Sequence, residues 1–237
     1  MKKRLALALL GCLLLYLPSL KAGFVYDDLW TIVHNPTIRS VRPARFLLEP
    51  RTFAPAQPKL TVGNFRPLSV LSLALDHAAW GQAPALYHIE NVLWHLLNGW
   101  LVFLLLSRML DERSAFVGML VFIVHPVQVE TVAWVTQRSN LLCLAGFLGA
   151  LLLLTCKKAS RARQAAGLMI YGLSLFAKEQ ALVFPAALLI IDWAQSATFS
   201  WRRRRGVYAA VLGVIVAYGV VRQVAAQSDS RALVVGP

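Results

Sequence analysis

Residues Tyr87–Leu106 read YHIENVLWHLLNGWLVFLLL. As a helix this stretch would run for about 30 Å, the thickness of a bilayer's hydrocarbon core. It closes on a nearly unbroken run of Leu, Val and Phe, as a membrane span would. Its polar residues are not scattered. His88, Asn91, His95 and Asn98 are spaced three, four and three, so they share one helical face, while Glu90 and Trp94 point elsewhere. Polar groups facing hydrocarbon are costly, so this face is expected to look into the bundle or a cavity. Interhelical hydrogen bonding would explain it, and so would the wall of a substrate cavity. Two histidines one heptad apart without a matched carboxylate are a weak metal signal, and no metal or other cofactor is expected.

The same apolar pattern recurs on both sides. Seven blocks can be drawn, roughly 5–20, 87–106, 115–124, 141–156, 165–177, 181–193 and 206–221. Three are short for a bilayer that needs about 20 residues per helix. The 237 residues are 58 % hydrophobic and 15 % charged, with a mean hydropathy of +0.60. A soluble chain is nearer half apolar and a quarter charged. The expected fold is therefore all-α and polytopic, a multi-pass membrane protein of about seven helices.

A net charge of +13 would point to nucleic acid in a soluble chain. Here the cations gather at block ends: Lys2-Lys3-Arg4, Arg108 with Arg113, Lys157-Lys158-Arg161-Arg163, and Arg202–Arg205. Two blocks separate each cluster from the next, which puts all four clusters on the cytoplasmic side, and no nucleic-acid partner is expected. The topology that follows is N-terminus in, seven spans, C-terminus out. Residues 165–193 then form a hairpin with Lys178-Glu179 at its outer turn. The basic start and first apolar run read as an uncleaved signal anchor. Cys12, Cys143 and Cys156 form no CxxC pair, so neither a thiol metal site nor a structural disulfide is expected.

The loop from Lys21 to about Leu86 lies outside, with seven Lys/Arg against four Asp/Glu. Within it, Pro67 opens and Trp80-Gly81 closes a helical pattern. Ser69, Ser72 and Asp76 share one face and Leu68, Leu71 and Leu75 another, as in a helix lying on the outer membrane surface. Trp80, Trp134, Trp193 and Trp201 fall near the expected interfaces.

Several residues have chemistry to offer at that outer surface. Asp27-Asp28 follows the first span directly and can supply a general base, although surface acids are more often simply solvated. His125-Pro126 ends the third span, with Glu130 and Arg138 after it. Arg138 would pair with a phosphate or with Glu130. Lys178-Glu179 reads as a local ion pair or a lipid-headgroup contact.

Taken in order, Phe24-Val25-Tyr26-Asp27-Asp28 with Asn35, Arg66-Pro67-Leu68, and Tyr87-His88-Ile89-Glu90-Asn91 with His95 form a pattern. It continues through His125-Pro126 with Glu130, Trp134, Arg138 and Leu141-Leu142, then Lys178-Glu179 and Asp192. The ordered set resembles the transmembrane O-mannosyltransferases that carry tetratricopeptide repeats, and their bacterial relatives, among the GT-C glycosyltransferases. The resemblance implies a single membrane module over residues 1–237, with further helices and a repeat domain beyond it. It implies transfer of a mannose or other hexose from a polyprenyl- or dolichyl-phosphate donor to an acceptor hydroxyl, on protein Ser/Thr or on a glycan. The transfer would occur at the outer face of a bacterial cytoplasmic membrane, or at the endoplasmic reticulum membrane in a eukaryote. Asp27 and Asp28 map to the catalytic acidic pair, with Asp27 the base. Arg66, His88, Asn91, His95, His125, Glu130, Arg138, Lys178 and Glu179 are the expected substrate and phosphate contacts. The alternative is a non-catalytic or truncated membrane module that binds lipid-linked substrate or scaffolds a partner.

Overall fold

The computed structural model describes residues 2–41, 64–156, 160–195 and 201–234, and these are helical or irregular throughout. The Lys157-Lys158 pair and residues 42–63 of the outer loop lie outside the described residues. Nine α-helices are described: α1 Lys2–Tyr16, α2 Pro67–Trp80, α3 Pro84–Leu106, α4 Glu112–Val124, α5 Gln128–Ala133, α6 Arg138–Leu154, α7 Arg161–Ala177, α8 Phe184–Ala194 and α9 Trp201–Val234. Several of their ends carry local signals. Asp111 caps α4 by accepting from the backbone N–H groups of Arg113 and Ser114, and Ser160 caps α7 through Arg163. Pro opens α2 and α3, where a missing N–H costs nothing. Gly81, at φ +62°, closes α2 in a conformation that side chains disfavour.

Each of the seven apolar blocks is helical, and among the described residues four stretches are long and apolar enough to cross a membrane by themselves. They are Lys3–Lys21, Pro84–Leu106, Val135–Leu154 and Arg204–Ala226, and they mark a membrane protein. Helices α4, α7 and α8 have 13, 17 and 11 residues, so α4 and α8 reach only about 20 Å or less at 1.5 Å per residue. Among the described residues, four of the expected seven crossings meet that length by themselves, and the other blocks are shorter helices.

The bundle has two distinct polar ends. At one, Arg108 donates to the Leu152 carbonyl at 2.6 Å and to Thr155 at 3.2 Å. Arg204 donates to the Leu154 carbonyl at 2.9 Å and to Asp192 at 2.8 Å. Two arginines therefore satisfy terminal carbonyls of α6, where the helix dipole favours cations. At the other end sit Asp28, Thr136, Asn140, Lys178 and the Arg66–Glu179 pair. The chain reverses between α7 and α8. Tyr171 stacks on Phe184 at 4.2 Å, and Asp192 returns to the Arg204 end. This is the hairpin, with Lys178 at its turn.

Small residues let the helices approach closely. A Cβ on Gly146 of α6 would come within 2.9 Å of the Ser174 Cβ on α7, and one on Gly167 within 2.8 Å of Leu154 Cγ. One core gathers Leu151, Tyr171, Leu175 and Phe184; a second joins α1, α3 and α4 through Cys12, Phe103, Met119 and Ile123. A third, around Ile32, Ile38, Leu73 and Tyr87, fastens the segment after α1 to α2 and α3. Large apolar side chains such as Leu7, Val121, Ile190 and Val216 remain more than half exposed, as a lipid-facing surface requires. Helix α2 follows the same inverted logic: Ser69 and Asp76 are buried, while Leu75 and Trp80 look outward.

Candidate functional site at the polar end of the bundle

The two adjacent acids, Asp27 and Asp28, occupy different environments. Asp28 is fully buried at the head of a single π turn, Leu29–Val33. One of its oxygens accepts from the Thr136 backbone N–H at 2.8 Å and from the Thr136 hydroxyl; the other accepts from the Val25 N–H at 3.1 Å. Burial raises its pKa despite these bonds. Thr31 adds to the clamp, bonding the Asp27 carbonyl and the Thr136 hydroxyl, each at 2.9 Å. Asn35 then caps the following turn through the Thr37 N–H at 2.9 Å.

Asp27 is half-buried, and among the described residues no hydrogen bond ties its carboxylate. It follows Tyr26, whose φ of 49° is left-handed for a bulky residue. Such strain persists only where surrounding contacts hold it. Here Trp134 packs on the Tyr26 ring at 5.8 Å, and the Asp28 clamp fixes the chain beyond.

Arg138, placed by sequence at the membrane surface, is instead fully buried. Its guanidinium donates to Asn91 Oδ1 at 2.8 Å, to the Tyr87 carbonyl at 2.9 Å, to Glu90 at 3.1 Å and to Asp76. Glu130 is not a partner; it is exposed on α5. With four donor contacts committed, Arg138 is an anchor joining α2, α3 and α6. The carboxyl groups of buried Asp76 and half-buried Glu90 converge on one guanidinium nitrogen. Burial raises the Asp76 pKa, and the neighbouring Glu90 raises it further.

The polar stripe of α3 faces protein along its length: His88, Asn91, His95 and Asn98 are all buried, whereas Trp94 is half-exposed. Its work is largely interhelical. The Asn91 amide donates to the carbonyls of Val132 and Trp134 at 3.2 Å, and Asn98 donates to the Leu141 carbonyl at 3.0 Å. His95 bonds the Ile123 carbonyl at 3.1 Å and packs edge-on against Tyr16 at 5.5 Å. His88 lies beside the Ala22–Gly23 backbone and Asp28. Glu90, outside the stripe, bonds the Trp94 indole at 3.1 Å as well as Arg138. His125 is exposed and turns back to accept from the Val127 N–H at 3.2 Å.

Lys178 and Glu179 do not pair locally. Glu179 reaches Arg66 at 3.4 Å, and Lys178 donates to Asn140. Burial and the Arg66 charge lower the Lys178 pKa. Asn140 and Gln128 also border an apolar groove of about 290 Å³, lined by Cys143, Leu144, Phe147 and Val183. Among the described residues, no group of three or more His, Cys, Asp or Glu side chains converges as metal ligands would.

The structure therefore places His88 near Asp28 and Lys178 near the Arg66–Glu179 pair, while His125 and Glu130 stand apart on the surface. Sequence reasoning missed Thr136, which carries no signal, and Asp76 as the partner of Arg138.

Comparison with known proteins bears out the resemblance. The chain is 38 % identical over 139 residues to protein O-mannosyl-transferase Tmtc1 of Drosophila melanogaster, covering 56 % of this chain and 16 % of that protein. It is 33 % identical over 145 residues to protein O-mannosyl-transferase TMTC3 of Mus musculus, covering 60 % of this chain and 16 % of that one. Over 214 residues it is 28 % identical to protein O-mannosyl-transferase F38B6.6 of Caenorhabditis elegans, covering 87 % of this chain and 30 % of that one. The chain thus matches less than a third of the length of each of these relatives. No family model and no solved structure matches it.

Proposed function

We propose that this chain is the membrane module of a GT-C-type glycosyltransferase. It transfers mannose or another hexose from a polyprenyl- or dolichyl-phosphate donor to a protein Ser/Thr hydroxyl at the extracytoplasmic face. The observation that carries this reading is the position of Asp27: a half-buried carboxylate on a strained turn, held from behind by the Asp28–Thr136 clamp. The names of the relatives support the reaction class.

In this reading the chain passes the membrane seven times, with the short helices α7 and α8 closing a hairpin at Lys178. The Asp27 end is extracytoplasmic and the Arg108–Arg204 end cytoplasmic, as the positive-inside rule favours. The membrane is the bacterial cytoplasmic membrane, or that of the endoplasmic reticulum in a eukaryotic cell. The lipid chain of the donor lies along the apolar groove, and its phosphate faces Lys178 and Arg66. Asp27 accepts the proton of the acceptor hydroxyl as its oxygen attacks the anomeric carbon. The sugar–phosphate C–O bond breaks and its electron pair leaves on the phosphate. Arg138 acts at one remove, positioning the 132–138 segment that holds Asp28.

The test is transfer of radiolabelled sugar from a polyprenyl-phosphate donor by membranes containing the full-length protein. Asp27→Asn should lower the rate by about 10²–10⁴ with donor binding retained. Unchanged transfer would end the base assignment, and no transfer by the intact protein would favour a non-catalytic module.

A further inference from the structure

Among the described large hydrophobic residues, Tyr26 is the most exposed, at 78 %. It also has the one left-handed backbone among the described non-glycine residues, with φ 49°. The carboxylate of Asp28 holds that geometry. It accepts from the Val25 N–H at 3.1 Å, just before Tyr26, and from the Thr136 N–H at 2.8 Å, two residues past Trp134. Asn91 fastens the same segment by donating to the Trp134 carbonyl at 3.2 Å. Two rings from distant parts of the chain are thereby fixed as a pair, with centroids 5.8 Å apart and planes tilted by 59°. Trp134 is half-buried and backs the pair, and Tyr26 stands outward. A tyrosine that only marked the membrane interface would be served as well by a relaxed turn. Strain of this kind persists where the surroundings over-determine it, and it clusters at ligand-holding sites.

We propose that the Tyr26 ring, backed by Trp134, is the platform on which the transferred sugar stacks. This inference rests on the transferase reading, which puts the sugar beside Asp27. Tyr26 is the residue directly before Asp27, with Cα atoms about 3.8 Å apart. In that reading Lys178 and Arg66 face the phosphate and the groove takes the lipid chain, so the sugar ring needs a contact of its own. The C–H groups on one face of a hexose carry partial positive charge, and the face of an aromatic ring is negative. Stacking fixes the plane of the sugar without pairing any single hydroxyl. It keeps the anomeric carbon in line with the attacking hydroxyl while the phosphate leaves. The Asp28–Thr136 clamp thus positions the base and the platform together, since both depend on the same strained turn.

The experiment is equilibrium binding to the purified full-length protein in nanodiscs, without acceptor. The probes are polyprenyl phosphomannose and polyprenyl methyl phosphate, two diesters of equal charge that differ by the sugar. Wild type should bind the mannosyl diester more tightly. Tyr26→Ala should weaken that binding about three- to tenfold and leave the methyl diester unchanged. Tyr26→Phe and Tyr26→Trp should bind as wild type does. Tyr26→Gly relieves the left-handed strain, so it should lose the same affinity without lowering the melting temperature. Equal weakening of both diesters in Tyr26→Ala would assign the ring to the lipid or the membrane interface and overturn the platform. Unchanged mannosyl binding in Tyr26→Ala, equal binding of both diesters by wild type, or a lowered melting temperature for Tyr26→Gly would overturn it too. Sugar transfer, measured separately, reports on the transferase reading: Tyr26-dependent sugar binding without transfer would keep the platform and end that reading.

Discussion

Thr136 donates its backbone N–H, at 2.8 Å, and its hydroxyl to one carboxylate oxygen of Asp28, 108 residues earlier in the chain. This relationship separates two adjacent acids that look equivalent in the sequence. It makes Asp28 part of the scaffold and leaves Asp27 to the solvent side.

The clamp has a stability signature. Asp28→Asn keeps an acceptor for Thr136 but turns an N–H₂ donor toward the Val25 N–H, so it should cost about 1–3 kcal/mol. Thr136→Val keeps the backbone bond and should cost about 0.5–1.5 kcal/mol. Asp27→Asn should change stability by less than about 0.5 kcal/mol. Thermal unfolding in detergent separates the three, and a large loss for Asp27→Asn would show that Asp27 is structural.

Arg138 bonds the buried Asp76 and the half-buried Glu90, so Arg138→Met should destabilise by about 3–5 kcal/mol, with partial rescue by Asp76→Asn. The pH dependence follows from the direction of the Asp76 shift. Its pKa is raised above the ordinary value of 3.8 by burial and by Glu90. The folded state therefore holds a proton that the unfolded chain releases, and this contribution is full below that ordinary value. It is lost as pH rises through the raised pKa. Melting temperature should fall as buffers are made more alkaline, and Asp76→Asn should flatten the trend. An Asp76→Asn protein with the wild-type slope would contradict the assignment.

Two glycines should respond oppositely to alanine. At Gly146 the new Cβ would meet the Ser174 Cβ at 2.9 Å and the Ile170 carbonyl at 3.2 Å. Overpacking there should cost about 1–3 kcal/mol. At Gly213 nothing lies within 4 Å, so Ala should be neutral or stabilise by up to about 1 kcal/mol through helix propensity. Melting curves of the two variants, side by side, check this.

The orientation is open to cysteine labelling. In a protein lacking Cys12, Cys143 and Cys156, a membrane-impermeant thiol reagent added outside should modify Gln180→Cys but not Ser160→Cys. Labelling at 160 in sealed cells would invert or break the proposed topology.

Much of the architecture was legible because its causes are local. The periodicity of 67–80 and the Pro and Gly at its ends predicted α2 within a residue. The three-four-three spacing predicted that His88, Asn91, His95 and Asn98 would be buried together. The charges flanking residues 165–193 predicted a reversal at Lys178. The span count was less legible, since α4 and α8 are apolar helices of only 13 and 11 residues, below the length that marks a span by itself.

What the sequence by itself determined is which segments are helical, which faces are polar, and which ends collect cations. Each of these depends on residues within a turn or two of one another. Tertiary structure alone decided the partners. Arg138 meets Asp76, 62 residues away, and not Glu130, and Glu179 meets Arg66, 113 residues away, and not Lys178. The physical reason is that a buried charge must find whatever counter-charge packing brings within hydrogen-bond reach. Helix packing sets that reach, and adjacency along the chain does not.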